Sequence, residues 1–461
     1  MTTDGEQLAA RLRRAGADLA APPELLAEVR AGGRRRLRRR RAASAAAAAA
    51  LVAVVLGVPA LWPSVPDRLL QVAGWSGSDS ATEQPSPRAV VPARMAGYSY
   101  LTGSVRASPP GPALALYQQG FGVELIDFPQ ALVMSVDGET YRRVDLAERR
   151  AGGESQGDPA PMLLSPDGRQ VAVGRYSARD ADVALLDLTT GAVVRHAVPD
   201  ARSVLPVAWS ADGRWLAYLA DEQPTNPHSG RAASGEPGLL DLTTGQVRTL
   251  PGRGSAQVMA FAPDGSEVLV QRPGGGSQVV GTTTSRTRDL GTSRPAAGPA
   301  AWSPDGRRLV VTRTDGGLDL LDVTGREPEV VRTVPADAGL QQDVLGWTAP
   351  DRLVLAATVT DEGEGDFRVV EVDLADGQQR RLTTVPTDGN FAVSRFQLAT
   401  ALLPELQVQP GGQVDRGPWP VWLQLCTALA VLLVPALALR WRRRRQEGPA
   451  AGPSSPHPSS S

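Results

Sequence analysis

The stretch WSPDGRRLVV, residues 302–311, has near copies elsewhere in the chain: LLSPDGRQVAV from Leu163, AWSADGRWLAYL from Ala208, AFAPDGSEVLV from Ala260 and GWTAPDRLVLAA from Gly346. Each begins with an aromatic or apolar residue and a small polar one. Pro-Asp-Gly or a variant of it follows, and then an apolar run rich in Val and Leu. That is strand, tight turn, strand. Proline presets φ for the turn, aspartate bonds the backbone ahead of it, and glycine takes the φ > 0 position that other residues resist. The turn residues are Asp167 with Gly168, Asp212 with Gly213, Asp264 with Gly265 and Asp305 with Gly306, and Asp351 stands in the fifth copy. Successive aspartates are 45, 52, 41 and 46 residues apart, the period of a propeller blade or of a helical array.

A second element decides between these two. LLDLTTG ends at Gly191 and again at Gly245, LLDVTG at Gly325 and VEVDLADG at Gly377, each followed by a short apolar run. One period therefore holds four strands and two hairpin turns, which predicts an all-β protein built as a β-propeller. The repeated SPDG hairpin resembles that of the TolB-like and WD40-like propeller proteins over about residues 98–399. The resemblance implies the fold and leaves the ligand open, since function does not travel with a fold. A degraded copy, ASPPGPALALY at 107–117, with MSVDGETYRRV at 134–144 as its outer hairpin, brings the count to six blades. FAVSRFQLAT, 391–400, is expected to pair at the seam of the ring; seven blades is the alternative if it starts a blade of its own.

All 48 basic residues are arginine, as in proteins of high-GC bacterial genomes, and the formal net charge of −1 hides an uneven distribution. Between residues 63 and 418 there are 43 acids against 32 arginines, a net charge of −11, while both ends are basic. An acidic propeller is a poor nucleic-acid binder. Residues 42–62 and 419–439 are charge-free apolar runs, flanked by arginine clusters at 34–41 and 440–445. Each is long enough to span a bilayer as a helix, and Trp419, Trp422 and Trp441 suit an interfacial belt. A signal peptide fits the first run poorly, because about 41 residues precede it. Basic flanks stay in the cytoplasm, so the expected layout is a cytoplasmic segment 1–41, a span 42–62, a linker 63–95, the propeller 96–400, a linker 401–418, a span 419–439 and a cytoplasmic tail 440–461. The propeller then faces outside the cytoplasmic membrane.

Chemistry-bearing residues are few. The one cysteine, Cys426, lies in the second run, and the histidines are His196, His228 and His457. No pair has metal-ligand spacing. GESQG at 153–157 matches G-x-S-x-G, but with no strand-to-helix elbow around Ser155 it predicts no nucleophile. The D-x-x-T-G pattern ending at Gly191 and Gly245 lacks the alanine and closing tryptophan of quinoprotein propellers, and a hairpin turn accounts for it. No catalytic group, cofactor or resident metal is expected. Trp209 and Trp302 should pack between blades. The insertions at 221–237 and 361–366 (DEGEGD) join second to third strands and should project from one face, where a protein partner is expected; calcium at DEGEGD is a weaker possibility. Residues 6–19 and 23–29 read as short helices before the arginine cluster, a layout similar to that of bacterial membrane-bound anti-sigma factors. The functional expectation is a membrane-anchored, non-enzymatic binding scaffold, with a transmembrane sensor whose N-terminal segment holds a cytoplasmic partner as the alternative.

Overall fold

In a computed structural model of the chain, the described residues run from 88 to 419, with scattered positions between 424 and 437. Segments 121–128, 151–159, 224–233, 252–253, 336–339, 360–366 and 388–392 and residues 275 and 285 lie outside the description. Six antiparallel sheets form the blades of a propeller. Blade II runs outward through Met162–Leu164, Gln170–Val173, Asp182–Asp187 and Val193–Ala197, and blade III through Ser203–Trp209, Trp215–Asp221, Glu236–Asp241 and Val247–Thr249. Blade IV comprises Val258–Phe261, Glu267–Gln271, Ser277–Gly281 and Thr287–Asp289; blade VI comprises Leu340–Ala349, Arg352–Val359, Phe367–Asp373 and Gln379–Val385. The inner strands are continuous apolar runs because both of their faces are buried, whereas an outermost strand such as Val193–Ala197 is largely exposed.

The ring closes as expected, with six blades. Blade I takes its innermost strand, Val393–Leu398, from the C-terminal end and the other three, Ala113–Gln119, Gln130–Ser135 and Tyr141–Arg143, from the N-terminal end. Leu398 pairs with Ala115 and Val393 with Gln119. Three aromatic rings seal the seam: Phe396 lies 5.5 Å from Tyr117 and 5.1 Å from Phe367 of blade VI, centroid to centroid. Closing a ring this way removes the exposed edges that an open sheet would offer.

The hydrophobic cores lie between blades. Leu116 and Val133 of blade I meet Leu164, Val171 and Leu186 of blade II, and Trp302 is buried among residues of blades IV, V and VI. Trp209 is half-buried against the core shared by blades II and III, its indole donating to Gly213 O at 3.1 Å. Two glutamines, Gln271 buried and Gln397 half-buried, complete the contacts. Gln397 accepts from Leu164 N at 2.8 Å and donates to Met162 O at 3.0 Å, which binds the edge of blade II to blade I. Gln271 does the same for Ala296 N and Arg294 O, both at 2.9 Å.

Three features differ from the sequence expectation. Blade V has three regular strands, Arg308–Thr312, Leu318–Asp322 and Glu329–Val334, and its inner edge is only bridged, Ala296 to Val311 and Trp302 to Leu309. Gly298 at φ 95° followed by Pro299, which has no N–H to give, interrupts the fourth strand. A short helix, Asp145–Arg150, joins blades I and II, with acids in its first turn and arginines in its last, as the helix dipole favours. Finally, the chain ends next to the ring are structural where linkers were expected. Val90–Pro92 pairs in parallel with Gln407–Gln409, Met95 N donates to Thr384 O of blade VI at 2.8 Å, Leu403 is fully buried, and Asp415 bridges Thr140 at the edge of blade I.

The spans expected at 42–62 and 419–439 lie outside the described residues, apart from Trp419 and a few isolated positions of the second. Among the described residues no helix is long and apolar enough to cross a membrane. Also outside are the N-terminal helices, Ser155, Cys426, His228, His457 and the DEGEGD run.

Candidate functional site

A propeller has two unlike faces, and here the turns that define the repeat all fall on one. First-to-second and third-to-fourth strand hairpins share that face, and their aspartates are consumed by the backbone. Asp167 Oδ1 accepts the Ser165 hydroxyl at 2.6 Å and Arg169 N at 3.0 Å, while Ser165 Oγ accepts Gln170 N at 2.9 Å. The same set recurs at Ser210 with Asp212 and at Ser303 with Asp305. In blade IV, Ala262 replaces the serine and Asp264 turns to Ser266, accepting its N–H at 3.0 Å and its hydroxyl at 2.8 Å. Gly168, Gly213, Gly265 and Gly306 sit at φ 68–72°, the left-handed region that glycine enters without strain.

The outer turns follow the same logic. Asp187 Oδ1 accepts Thr189 N at 2.7 Å and Thr190 N at 2.9 Å, and Gly191 closes the turn at φ 73°. Asp241 Oδ1 accepts Thr243 N at 2.9 Å, and Gly245 is also at 73°. Burial alone would raise the Asp187 carboxyl, but the hydrogen bonds from Thr189 and Thr190 hold it below its ordinary value. Asp305 is held low in the same way by Ser303 and Arg307. The four aspartates and six glycines picked out in the sequence all stand in these turns.

The opposite face carries the connections from second to third strands, the crossings between blades and one mouth of the central channel. Both insertions singled out in the sequence join strands at this face, although most of the first and all of DEGEGD lie outside the described residues. At the channel, two residues that the sequence did not mark stand near this end of adjacent innermost strands: Asp343 of blade VI and Arg395 of blade I. Both are exposed. Arg395 holds a left-handed backbone, φ 52°, a conformation that costs a non-glycine residue on the order of 1 kcal/mol and that gathers at binding and switch sites. Surrounding protein pushes the Asp343 carboxyl above its ordinary value, and the positive field of Arg395 offsets this only in part. His196, on the outermost strand of blade II, is lowered by burial. No group of three or more His, Cys, Asp or Glu among the described residues is placed to hold a metal.

The arrangement defines a six-bladed β-propeller with its tight hairpin turns on one face and the connections between second and third strands on the other, the loop face. No family model matches the chain, and no curated protein matches it. Among solved structures it is similar in fold to TolB from Acinetobacter baumannii, at 17% identity over 62% of this chain and 67% of that one, with a TM-score of 0.41. A putative TolB from Agrobacterium tumefaciens matches at 15% identity over 62% of this chain and 99% of that one, TM-score 0.38. A chain of the nidogen/laminin complex matches at 10% over 63% and 99%, TM-score 0.40.

Proposed function

We propose that the protein is a non-enzymatic scaffold that binds a protein partner across its loop face, held outside the cytoplasmic membrane by spans at 42–62 and 419–439. The observation that carries the binding reading is the division between faces. On one, the turn carboxylates are bonded to their own backbone; on the other, Arg395 with its left-handed backbone and Asp343 with its raised carboxyl stand near the ends of adjacent innermost strands. The anchoring reading rests on the two charge-free runs and their arginine flanks. It is supported by the parallel pairing of Val90–Pro92 with Gln407–Gln409, which brings the two chain ends of the ring side by side. A photoreactive amino acid placed at Glu222 or Asp315 on the loop face, and at Thr190 or Arg326 on the hairpin face, tests the binding face in living cells. Protein adducts from the first pair alone are expected. Adducts from the hairpin face alone, or from neither, would contradict it.

A further inference from the structure

Five arginines that the sequence scatters from position 106 to 195 meet in one cleft of about 490 Å³ at the border of blades I and II. Arg106 comes from the segment before blade I, Arg149 and Arg150 from the end of the short helix, Arg175 from just beyond the second strand of blade II, and Arg195 from its outermost strand. Two carboxylates oppose them. Asp182 lies 2.8 Å from Arg150, 3.3 Å from Arg175 and 3.9 Å from Arg195, and Asp145 lies 2.9 Å from Arg149. Arg106 has no ion pair among the described residues. Among the described residues three positive charges are thus left unmatched, within a stretch of chain whose own net charge is −11.

The deepest of the five, Arg150, pairs through Nη1 with Asp182 and the Val173 carbonyl but leaves its other terminal nitrogen unused. The Arg150 side chain is 4% exposed, and its Nη2 is buried without a hydrogen-bond partner; Arg175 Nε makes no hydrogen bond either, lying 3.3 Å from Asp182 Oδ1 in an ion pair of poor geometry. Burial lowers the Arg150 guanidinium, and Asp182 restores it only in part. A buried, unfilled donor on a charged group is costly, and a multivalent anion seated between forked guanidinium groups would remove that cost.

We propose that this cleft binds an oxyanion of the phosphate class, free or as the phosphate of a small ester, through Arg106, Arg150, Arg175 and Arg195. A doubly charged ligand answers the three unmatched charges better than a single carboxylate does. The cleft exceeds the room a bare phosphate needs, which leaves space for a small organic group beside it. A long polyanion is disfavoured, because the acidic domain around the cleft would repel it. This inference is independent of the scaffold reading.

Equilibrium dialysis of the full-length protein against radiolabelled inorganic phosphate, and separately against glycerol 3-phosphate at matched ionic strength, tests it. One saturable site is expected. Arg106→Ser and Arg195→Ser alter exposed side chains and leave the core intact; each should weaken binding about tenfold, while Arg326→Ser on the hairpin face should not. Tighter binding of glycerol 3-phosphate would assign the extra room to the ester, and equal binding would assign the site to the phosphate alone. No saturable phosphate uptake, or uptake indifferent to both Arg106 and Arg195, would overturn the proposal.

Discussion

Arg142 and Asp415, 273 positions apart, are joined by a 2.8 Å ion pair that ties the chain's exit to the outermost strand of blade I. Arg142 is buried, and every nitrogen of its guanidinium is used. Nη1 also donates to the carbonyls of Tyr141 at 2.8 Å and Asp415 at 3.0 Å, and Nε to Ser108 O at 2.9 Å. Arg142→Met should cost about 1–3 kcal/mol through the carbonyls it leaves unpaired, and residues 410–417 should become open to protease. Asp415 is held below the ordinary carboxylate value, chiefly by the Arg142 hydrogen bond. A depressed acid contributes stability at neutral pH and loses it as pH falls through its folded value. The melting difference between wild type and Asp415→Asn should therefore be present at pH 7 and shrink below about pH 4.

Asp343 has the opposite sign. Its carboxyl is raised by surrounding protein, so the charge costs more in the folded than in the unfolded chain, and Asp343→Asn should raise the melting temperature at pH 7. The gain should fade as the solution is acidified through about pH 4, where the unfolded carboxyl also protonates. A loss of stability at pH 7 would show that the charge is held favourably after all. A stabilised variant that no longer captures a partner would fit a site kept for binding at the expense of stability.

Gly306 stands at φ 68°, and a β-carbon there would have room, its nearest neighbour being Pro263 Cδ at 3.7 Å. Gly306→Val should therefore cost about 1–3 kcal/mol through backbone strain alone. Gly276→Ala, at a position without positive φ where a β-carbon would meet nothing within 4 Å, should leave denaturant midpoints unchanged. Equal effects of the two substitutions would show that the left-handed turn contributes nothing.

The seam depends on Gln397. Gln397→Leu keeps the volume but strands Leu164 N and Met162 O at the edge of blade II, at roughly 1–3 kcal/mol for each group left without a partner. Removing 391–400 altogether should be worse, since it takes the innermost strand from blade I. Urea unfolding that is unaffected by either change would mean that the ring does not close here.

Much of the fold was legible because turn chemistry is local. Pro-Asp-Gly and Asp-x-x-Thr-Gly carry their own hydrogen-bond partners within five residues, so their meaning survives out of context, and the seam strand at 391–400 could be inferred from the blade count. What the sequence concealed depends on distant partners. The segment 409–417, rich in Gly, reads as a linker until Arg142 is brought against it. Gln271 and Gln397 look like ordinary strand residues until a neighbouring blade lacks a bond. The interruption in blade V was signalled locally, by Gly298-Pro299, within the inner strand expected there. The arginine cleft and the channel-mouth pair of Asp343 with Arg395 exist only once blades from separate parts of the chain stand side by side.

Membrane topology is the most direct test of the proposed role. The arginine clusters at 34–41 and 440–445 would have to cross the bilayer if the orientation were reversed, at roughly 2.5–3.5 kcal/mol per arginine at the bilayer centre. With epitope tags at both termini and protease added to intact spheroplasts of a bacterial host, the segment between residues 63 and 87 should be cut while both tags survive. Loss of the tags with the propeller protected would contradict the proposed role, and so would a soluble propeller released without protease, because the first apolar run would then be a cleaved signal.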